Sequence, residues 1–483
     1  MNRRRQTPAS STRPCFTSAV GLYQFSPQKV CRPSTEQEIV QAVQQAAKEQ
    51  VRVRAIGALH SAVPLPATEG LCLVLEDYCQ VVKVEGLLVT VQSGMRLRSL
   101  NDFLATQGLA LPTLGTIAEQ SVAGAISTGT HGGSLHRQSL SGYVQSLSIV
   151  RADGRVIQLH RGEDVFDAGA IALGALGIIS TVTFACVRAF SLQTQVRTVP
   201  MPTLLETFEA IHQANQFVDM RYSPITDQVH MALINPMRSP SLKRDANSLN
   251  HHLNSSAQNT SSFYHKLTQT LTDQINKTAQ KLFATHKFNT LQRWGIQRYD
   301  RRLYAKVSGR SDFVLTHFDA TSTDLLSNEA ETNINLEPVA DMEVAISYDL
   351  ASAALRVLRE HFQRSQRFPS MHIHLRTQAA EPFWLSPTCQ EPICWLEFWE
   401  YPSTGKFFRE ILTLLKPFSP RGHWGKQLPA NPAEKYARWS DFVDIRQQWD
   451  PNGMFSNAYL DSLFQPVPLA AALVEQQGIF HSA

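Results

Sequence analysis

The sequence predicts an α+β protein of two units, and three observations carry that expectation. A chain of 483 residues is longer than one hydrophobic core normally serves. Its first 190 residues alternate short strand-like runs with helix patterns, in the manner of an α/β unit. From residues 190–205 onward the pattern changes to longer strands and helices mixed together, as in an α+β layer.

The start, MNRRRQTPASSTRP, is basic and free of acids but has no apolar run, so residues 1–15 are expected to be a disordered N-terminus rather than a secretory signal. An organelle-targeting segment is the alternative. Pro33-Ser34-Thr35 followed by Gln37 and Glu38 reads as a helix N-terminus with a capping box. Ile39, Val40, Val43 and Ala46 then give that helix one apolar face. The strand-like VRVRAI leads into the turn Gly57-Ala58-Leu59-His60-Ser61, and LCLVLE follows. VVKVEGLLVTV folds back at Glu85-Gly86 as a hairpin.

The segment Leu111–Gly133, LPTLGTIAEQSVAGAISTGTHGG, is dense in Gly, Ser and Thr. Such a run is poor core and poor helix material, but it lets backbone N–H groups approach a large anion such as a diphosphate. A further hairpin is expected at Asp153-Gly154, and Gly174–Val187 reads as a glycine-bounded turn into a buried strand. Beyond the boundary, residues 237–262 form an Asn- and Ser-rich polar loop. Tyr264, Leu267, Leu271, Ile275, Ala279 and Leu282 then recur at helical spacing, the pattern of a core-facing stripe.

Two glycine-bearing turns, the first carrying a histidine, indicate one bound nucleotide cofactor, read here as FAD. Gly174-x-x-Gly177 lacks the first glycine of a GxGxxG fingerprint, so a nicotinamide cofactor is not indicated. The absence of a P-loop Lys-Ser/Thr pair, an HExxH and a GxSxG elbow removes the main support for kinase and hydrolase readings. A net charge of +4 is too small and too dispersed to argue for nucleic acid. No run approaches the roughly 18 apolar residues of a membrane span. Seven cysteines without a CxxC pair argue against a disulfide framework and against a zinc site, and for a reducing, cytoplasmic compartment. The sequons at Asn254, Asn259 and Asn276 carry little weight without a secretory signal.

A polar cluster of another kind comes late in the chain. His372, His374 and Arg376 alternate with Met371, Ile373 and Leu375, so strand geometry puts the three polar groups on one face. Glu397 lies in the strand-like CWLEFWEY, and Arg421, His423 and Lys426 gather in RGHWGK. Ionisable groups in an apolar-aromatic setting suit a pocket for a polyhydroxylated small molecule. The bland reading is that the two histidines are satisfied members of a strand face.

With these residues in place, the chain resembles the FAD-linked sugar-1,4-lactone oxidases and alditol oxidases, flavoproteins of the vanillyl-alcohol-oxidase class. The resemblance rests on IGALHS, LGTIAEQSVAGAISTGTHG, WLSP at Trp384–Pro387, and HWGK with DPNGMFSNAYL. It implies a two-subdomain FAD-binding domain over 16–195, an α+β cap over 196–430, and a segment 431–483 returning to the flavin domain. It further implies a covalent bond between His60 and the flavin. Gly57, Ala58, Leu59, Ser61, Gly115, Thr116, Ser121, Gly124, Thr128, Thr130, Gly132, Gly177, Ile178 and His423 would hold the cofactor. Gly115 matches a position where glycine leaves room for dioxygen, which favours an oxidase. Arg376 and Lys426 match a catalytic arginine and lysine, stabilising charge during hydride transfer from a CH–OH carbon, with hydrogen peroxide as the by-product.

The chain departs from the family pattern at four positions. His374 stands where the pattern has the Glu of Glu-x-Arg, and Glu397 where an alditol-oxidase-like histidine is expected. Trp399 replaces a small hydroxylated residue, and Leu59 replaces the second glycine of Gly-x-Gly-His-Ser. The expected activity is oxidation of a lactone or alditol with dioxygen. The alternatives are a dehydrogenase of the same fold feeding a quinone or cytochrome, and a flavin-binding protein without catalysis.

Overall fold

The structure is a computed structural model that describes residues 13–237, 314–319, 340–400, 404–427, 429 and 432–464. The stripe expected at 264–282, and the polar stretch from 238 on, lie outside the described residues.

Helix Glu36–Glu49 begins as its capping box dictates. Glu38 N donates to Thr35 Oγ1 at 3.2 Å, and Ser34 N donates to the Glu38 carboxylate at 2.6 Å. Its buried Ile39, Val40, Val43 and Ala46 pack with Val53, Leu71 and Leu73 of a parallel three-stranded sheet. That sheet has Leu71–Val74 at its centre, between Lys29–Cys31 and Val53–Ile56. A five-stranded antiparallel sheet follows, in the order Val156–His160, Val144–Val150, Ile178–Ala185, Leu88–Gln92, Val81–Glu85. Both expected hairpins are present. Gly86 and Gly154 take the left-handed turn conformation that glycine adopts without steric cost.

A second, eight-stranded antiparallel sheet begins at Ser191. Its order is Val314–Asp319, Ser191–Pro200, Gln228–Pro236, Phe217–Ser223, Ile373–Gln378, Ile393–Glu400, Ala340–Ser347, Arg421–Gly422. Side chains alternate across this sheet. Met342, Val344, Leu375, Leu396 and Phe398 face one way and pack with Phe208, Leu355, Leu358, Phe362 and Ile411 of three helices, Met201–Ala214, Ala351–Ser365 and Lys406–Leu415. The opposite face carries the charged residues described below.

The chain's late motif returns to the first unit. Asp450 accepts from Met454 N and Phe455 N at 2.7 Å each, shaping the DPNGMF turn. Buried Arg54 donates to the Phe455, Gly174 and Leu173 carbonyls at 2.8 Å each, and Val53 N donates to Met454 O. Asn457 Nδ2 bonds the carbonyls of Pro64, Leu65 and Ala67, just beyond the His60 turn. The last part of the described chain thus braces the segments that lead into and out of that turn.

Candidate active site

A cleft of about 810 Å³ runs between the first unit and the charged face of the large sheet. The two units are stitched together along it. Val218 N donates to Gly133 O at 2.8 Å, Ser134 N to Thr377 O at 2.7 Å, and Ala62 N to Gly425 O at 2.7 Å. A Cβ at Gly133 would stand 2.7 Å from Val218 O, so the end of the glycine-rich segment meets the sheet at a distance only glycine permits.

The first-unit side of the cleft is largely backbone. Gly57, Ala58, Leu59, His60, Ser61, Gly115, Thr116, Ser121, Gly124, Thr128, Thr130, Gly177 and Ile178 all line it. The N–H groups of residues 57–61 bond to no described residue of the protein. A Cβ at Gly57 would overlap Ser121 Oγ, at 1.9 Å, so the turn and the N-cap of helix Val122–Ser127 touch directly. Unpaired backbone donors beside a glycine-rich wall fit the diphosphate of an FAD. Leu59 keeps a left-handed backbone, with φ of 57°, which explains why the family pattern has glycine there. Burial lowers the pKa of His60, the Arg96 charge lowers it further, and Glu119 opposes both. Its imidazole is therefore neutral at physiological pH.

Two glycines expected on the cofactor side are also required by packing. Gly132 is not among the residues that line the cleft, and a Cβ there would meet Thr113 Oγ1 at 2.7 Å and Leu114 O at 2.8 Å. A Cβ at Gly115 would meet the Thr130 methyl at 2.5 Å, so loop packing alone requires glycine at that position.

The sheet side of the cleft is made of side chains. His374 and Glu397 are directly opposed in adjacent antiparallel strands, and His374 Nδ1 lies 3.1 Å from Glu397 Oε2. Lys426 pairs with the other oxygen of Glu397. Arg376 Nη2 lies 2.6 Å from Glu343 Oε1 and 3.6 Å from Glu397 Oε2. Lys426 Nζ also lies 3.1 Å from Glu343 Oε2 and 3.2 Å from Asp341. On the far side of His374, Nε2 is 2.6 Å from Asp219 Oδ2. All four sheet-side residues expected from the sequence, Arg376, Lys426, Glu397 and His374, meet here.

Burial alone would raise the pKa of Glu343, but Arg376, Lys426 and His131 outweigh it and hold the carboxyl well below its ordinary value. Asp219 behaves the same way: His374, Arg221 and Arg376 overcome the cost of burial. Burial dominates at the imidazoles. It lowers His374 and His372, and takes His423 to about 4. His423 lines the cleft with its ring beside the stacked rings of His131 and Trp395. His372 lines it against Trp399. Arg421 is not among the residues that line the cleft; it pairs with Glu391.

Glu343, Asp341, Asp219 and His131 of this cluster escaped sequence reasoning. Asp341 and Glu343 sit in ADMEVAIS and Asp219 in FVDMRYS, where charged and apolar residues alternate as they do in MHIHLR. Reading those three runs together as one polar sheet face would have found them. His131 ends the glycine-rich segment, stacks on Trp395 with centroids 4.3 Å apart, and lies 3.5 Å from Glu343.

Comparison with known proteins bears on this geometry. Residues 182–463 match the D-arabinono-1,4-lactone oxidase family, and residues 27–160 match the FAD binding domain. The chain belongs to the D-arabinono-1,4-lactone oxidase family. It is 26% identical to the L-gulono-1,4-lactone dehydrogenase of Mycobacterium tuberculosis over 94% of this chain and 100% of that one. It is 24% identical to the mouse (Mus musculus) L-gulonolactone oxidase over 93% of this chain and 98% of that one. The cholesterol oxidase of B. sterolicum shares its fold, with a TM-score of 0.71 at 16% identity, covering 95% of this chain and 99% of that one. The fold is thus that of the vanillyl-alcohol-oxidase-type flavoenzymes, and the chain is an FAD-linked oxidoreductase acting on CH–OH groups.

Proposed function

We propose that the protein oxidises the CH–OH carbon of a sugar-1,4-lactone or a related alditol, with dioxygen as electron acceptor and FAD tethered through His60. The observation that carries this reading is the meeting of Arg376, Lys426, Glu343, Glu397 and His374 in the same cleft as the Gly57–Ser61 turn. Bound FAD would supply the hydride acceptor and, once reduced, pass the electrons on to give hydrogen peroxide. The chain's own residues do the rest.

Glu343 holds Arg376 and Lys426 in place before any substrate arrives, so their charges need no reorganisation as negative charge develops on the substrate oxygen. Glu397 and His374 share a hydrogen bond and can take the hydroxyl proton. Because positions 374 and 397 are register partners, exchanging an acid and an imidazole between them leaves both groups at one place in the cleft. If Glu397→Gln and His374→Ala both leave turnover unchanged, that exchange idea fails. Trp399 lies near-parallel to the His374 ring, at 6.4 Å, and narrows the substrate end of the cleft.

The neutral, cleft-lining His60 supports a covalent link. Acid denaturation is the test. Yellow flavin fluorescence should stay with the polypeptide and be released in His60→Ala; flavin that washes out of the wild type would overturn the link.

A second reading has support of its own. Gly115 is required by Thr130, so it argues less for dioxygen, and a full-length relative carries the name dehydrogenase. Oxygen consumption measured against reduction of a dye acceptor separates the two. A cytoplasmic location belongs to the same proposal, supported by seven free cysteines. Among the described residues no helix is long and apolar enough to cross a membrane.

A further inference from the structure

Asp219 is half-buried and is not among the residues that line the cleft. Strand alternation places it on the same face as Arg221, whose register partner across the sheet is His374. Its Oδ2 lies 2.6 Å from His374 Nε2, while the other ring nitrogen, Nδ1, lies 3.1 Å from Glu397 Oε2. The imidazole is therefore clamped between two carboxylates. A neutral ring has one N–H to give, and a ring that serves both carboxylates must carry two protons or borrow one from an acid. Asp219 is the partner held firmly ionised, by Arg221 and Arg376 as well as by the ring itself. The ring proton accordingly belongs on Nε2. Nδ1 and Glu397 Oε2 then face each other one proton short, with Lys426 steadying Glu397 from its other oxygen.

We propose that Asp219 is the positioning residue of the proton acceptor: it fixes the His374 tautomer, so that the His374–Glu397 pair takes up the proton of the substrate hydroxyl. The proposal rests on the oxidation reading above. In the step, the substrate O–H bond breaks and its electron pair closes the new C=O bond. The proton passes to the space between Glu397 and Nδ1. The carbon-bound hydrogen leaves with its two electrons to FAD, the oxidant of the family. The charges facing His374 are Asp219 and Arg221 from one neighbouring strand, Glu397 from the other, Arg376 and His372 on its own strand, and Lys426 beyond Glu397.

The test uses FAD-loaded protein and the variant Asp219→Asn, which keeps shape and removes charge. With L-gulono-1,4-lactone or D-arabinono-1,4-lactone as substrate, kcat should fall by roughly 10²-fold with KM little changed. The acid limb of kcat/KM should move to lower pH by about one unit, because a carboxylate that favours the protonated ring is gone. In ¹⁵N-histidine NMR, the wild-type His374 signals should be those of the Nε2–H tautomer, and Asp219→Asn should mix the two tautomers. A limb and a tautomer unchanged in Asp219→Asn would overturn the proposal, and so would a loss of kcat without either shift. If Asp219→Asn does not hold FAD, Asp219→Glu decides: it should keep the wild-type tautomer and limb, and failure to do so counts against the role. If neither lactone is turned over by the wild type, the substrate reading fails, while the NMR comparison still decides the role of Asp219.

Discussion

The two sides of the cleft are built on opposite plans. The side formed by the first unit presents backbone: the Gly57–Ser61 turn and the loop from Gly115 to Thr130, close-packed because glycines let Ser121 and Thr130 approach. The sheet side presents side chains that alternate across strands, each charge answered by another a few ångströms away. A backbone site tolerates little change of shape but is indifferent to charge. A side-chain site tolerates little change of charge but is less sensitive to shape. Four substitutions or conditions would break or sharpen that contrast.

The largest effect is expected on the sheet side. Arg376→Ala leaves Glu343 buried with one of its two close cations gone, and breaking such a pair costs about 3–5 kcal/mol. Turnover should drop by roughly 10²–10³-fold as well, since a charge aimed at the developing oxyanion is lost. Urea unfolding and steady-state kinetics measure the two separately; a variant as stable as the wild type would show that Glu343 does not depend on Arg376.

Next comes the backbone side. Gly57→Ala puts a methyl group within 1.9 Å of Ser121 Oγ, so the turn must shift. The FAD-to-polypeptide absorbance ratio of the purified protein should fall steeply. Gly86→Ala, in a hairpin where a Cβ meets nothing within 4 Å, should keep full flavin content and cost only about 1 kcal/mol through its left-handed backbone. Equal flavin loss in both would refute the cradle.

A third expectation concerns pH. His212 and His423 are buried and neutral, each lowered to about 4 chiefly by desolvation. The unfolded chain then binds protons that the folded chain refuses between about 6.5 and 4. Stability from these two groups is complete above about 6.5 and declines as pH falls through that window, by up to about 1.4 kcal/mol per pH unit for each. Urea midpoints across pH 4–7 should slope downward toward acid, and His423→Asn should flatten the slope in part. An unchanged slope would mean that His423 is protonated in the fold.

The smallest effect is expected at Leu59. With φ of 57°, glycine there relieves about 1 kcal/mol of strain net of its own entropy. Leu59→Gly should raise the melting temperature slightly without altering turnover. A fall would show that contacts of the Leu59 side chain with the small core near Phe16 and Phe25 outweigh the strain.

How legible these features were in the sequence follows the same contrast. The backbone side is contiguous: the capping box at Thr35, the glycine hairpins, the His60 turn and the glycine-rich segment each declare themselves within a few residues, because local backbone conformation is set by local side chains. Half of the sheet side was also visible, as His374 and Arg376 alternate on one strand. What was not visible is which strands lie beside that one. Glu343 and Asp219 occupy runs as patterned as MHIHLR, yet nothing local to either run says that it borders residues 373–378.

The sequence by itself determined the strand alternation, the turns, the glycine positions and the family to which the chain belongs, since these depend on short-range sterics and on motifs kept intact along the chain. Only the tertiary structure decided that Glu343 ties Arg376 to Lys426 and that Asp219 stands behind His374. It also decided that Arg421 pairs with Glu391 outside the cleft and that Gly132 packs against Thr113 and Leu114. The physical reason is that strand order and register are fixed by long-range burial of one sheet face against three helices, a property of the whole chain that no single segment carries.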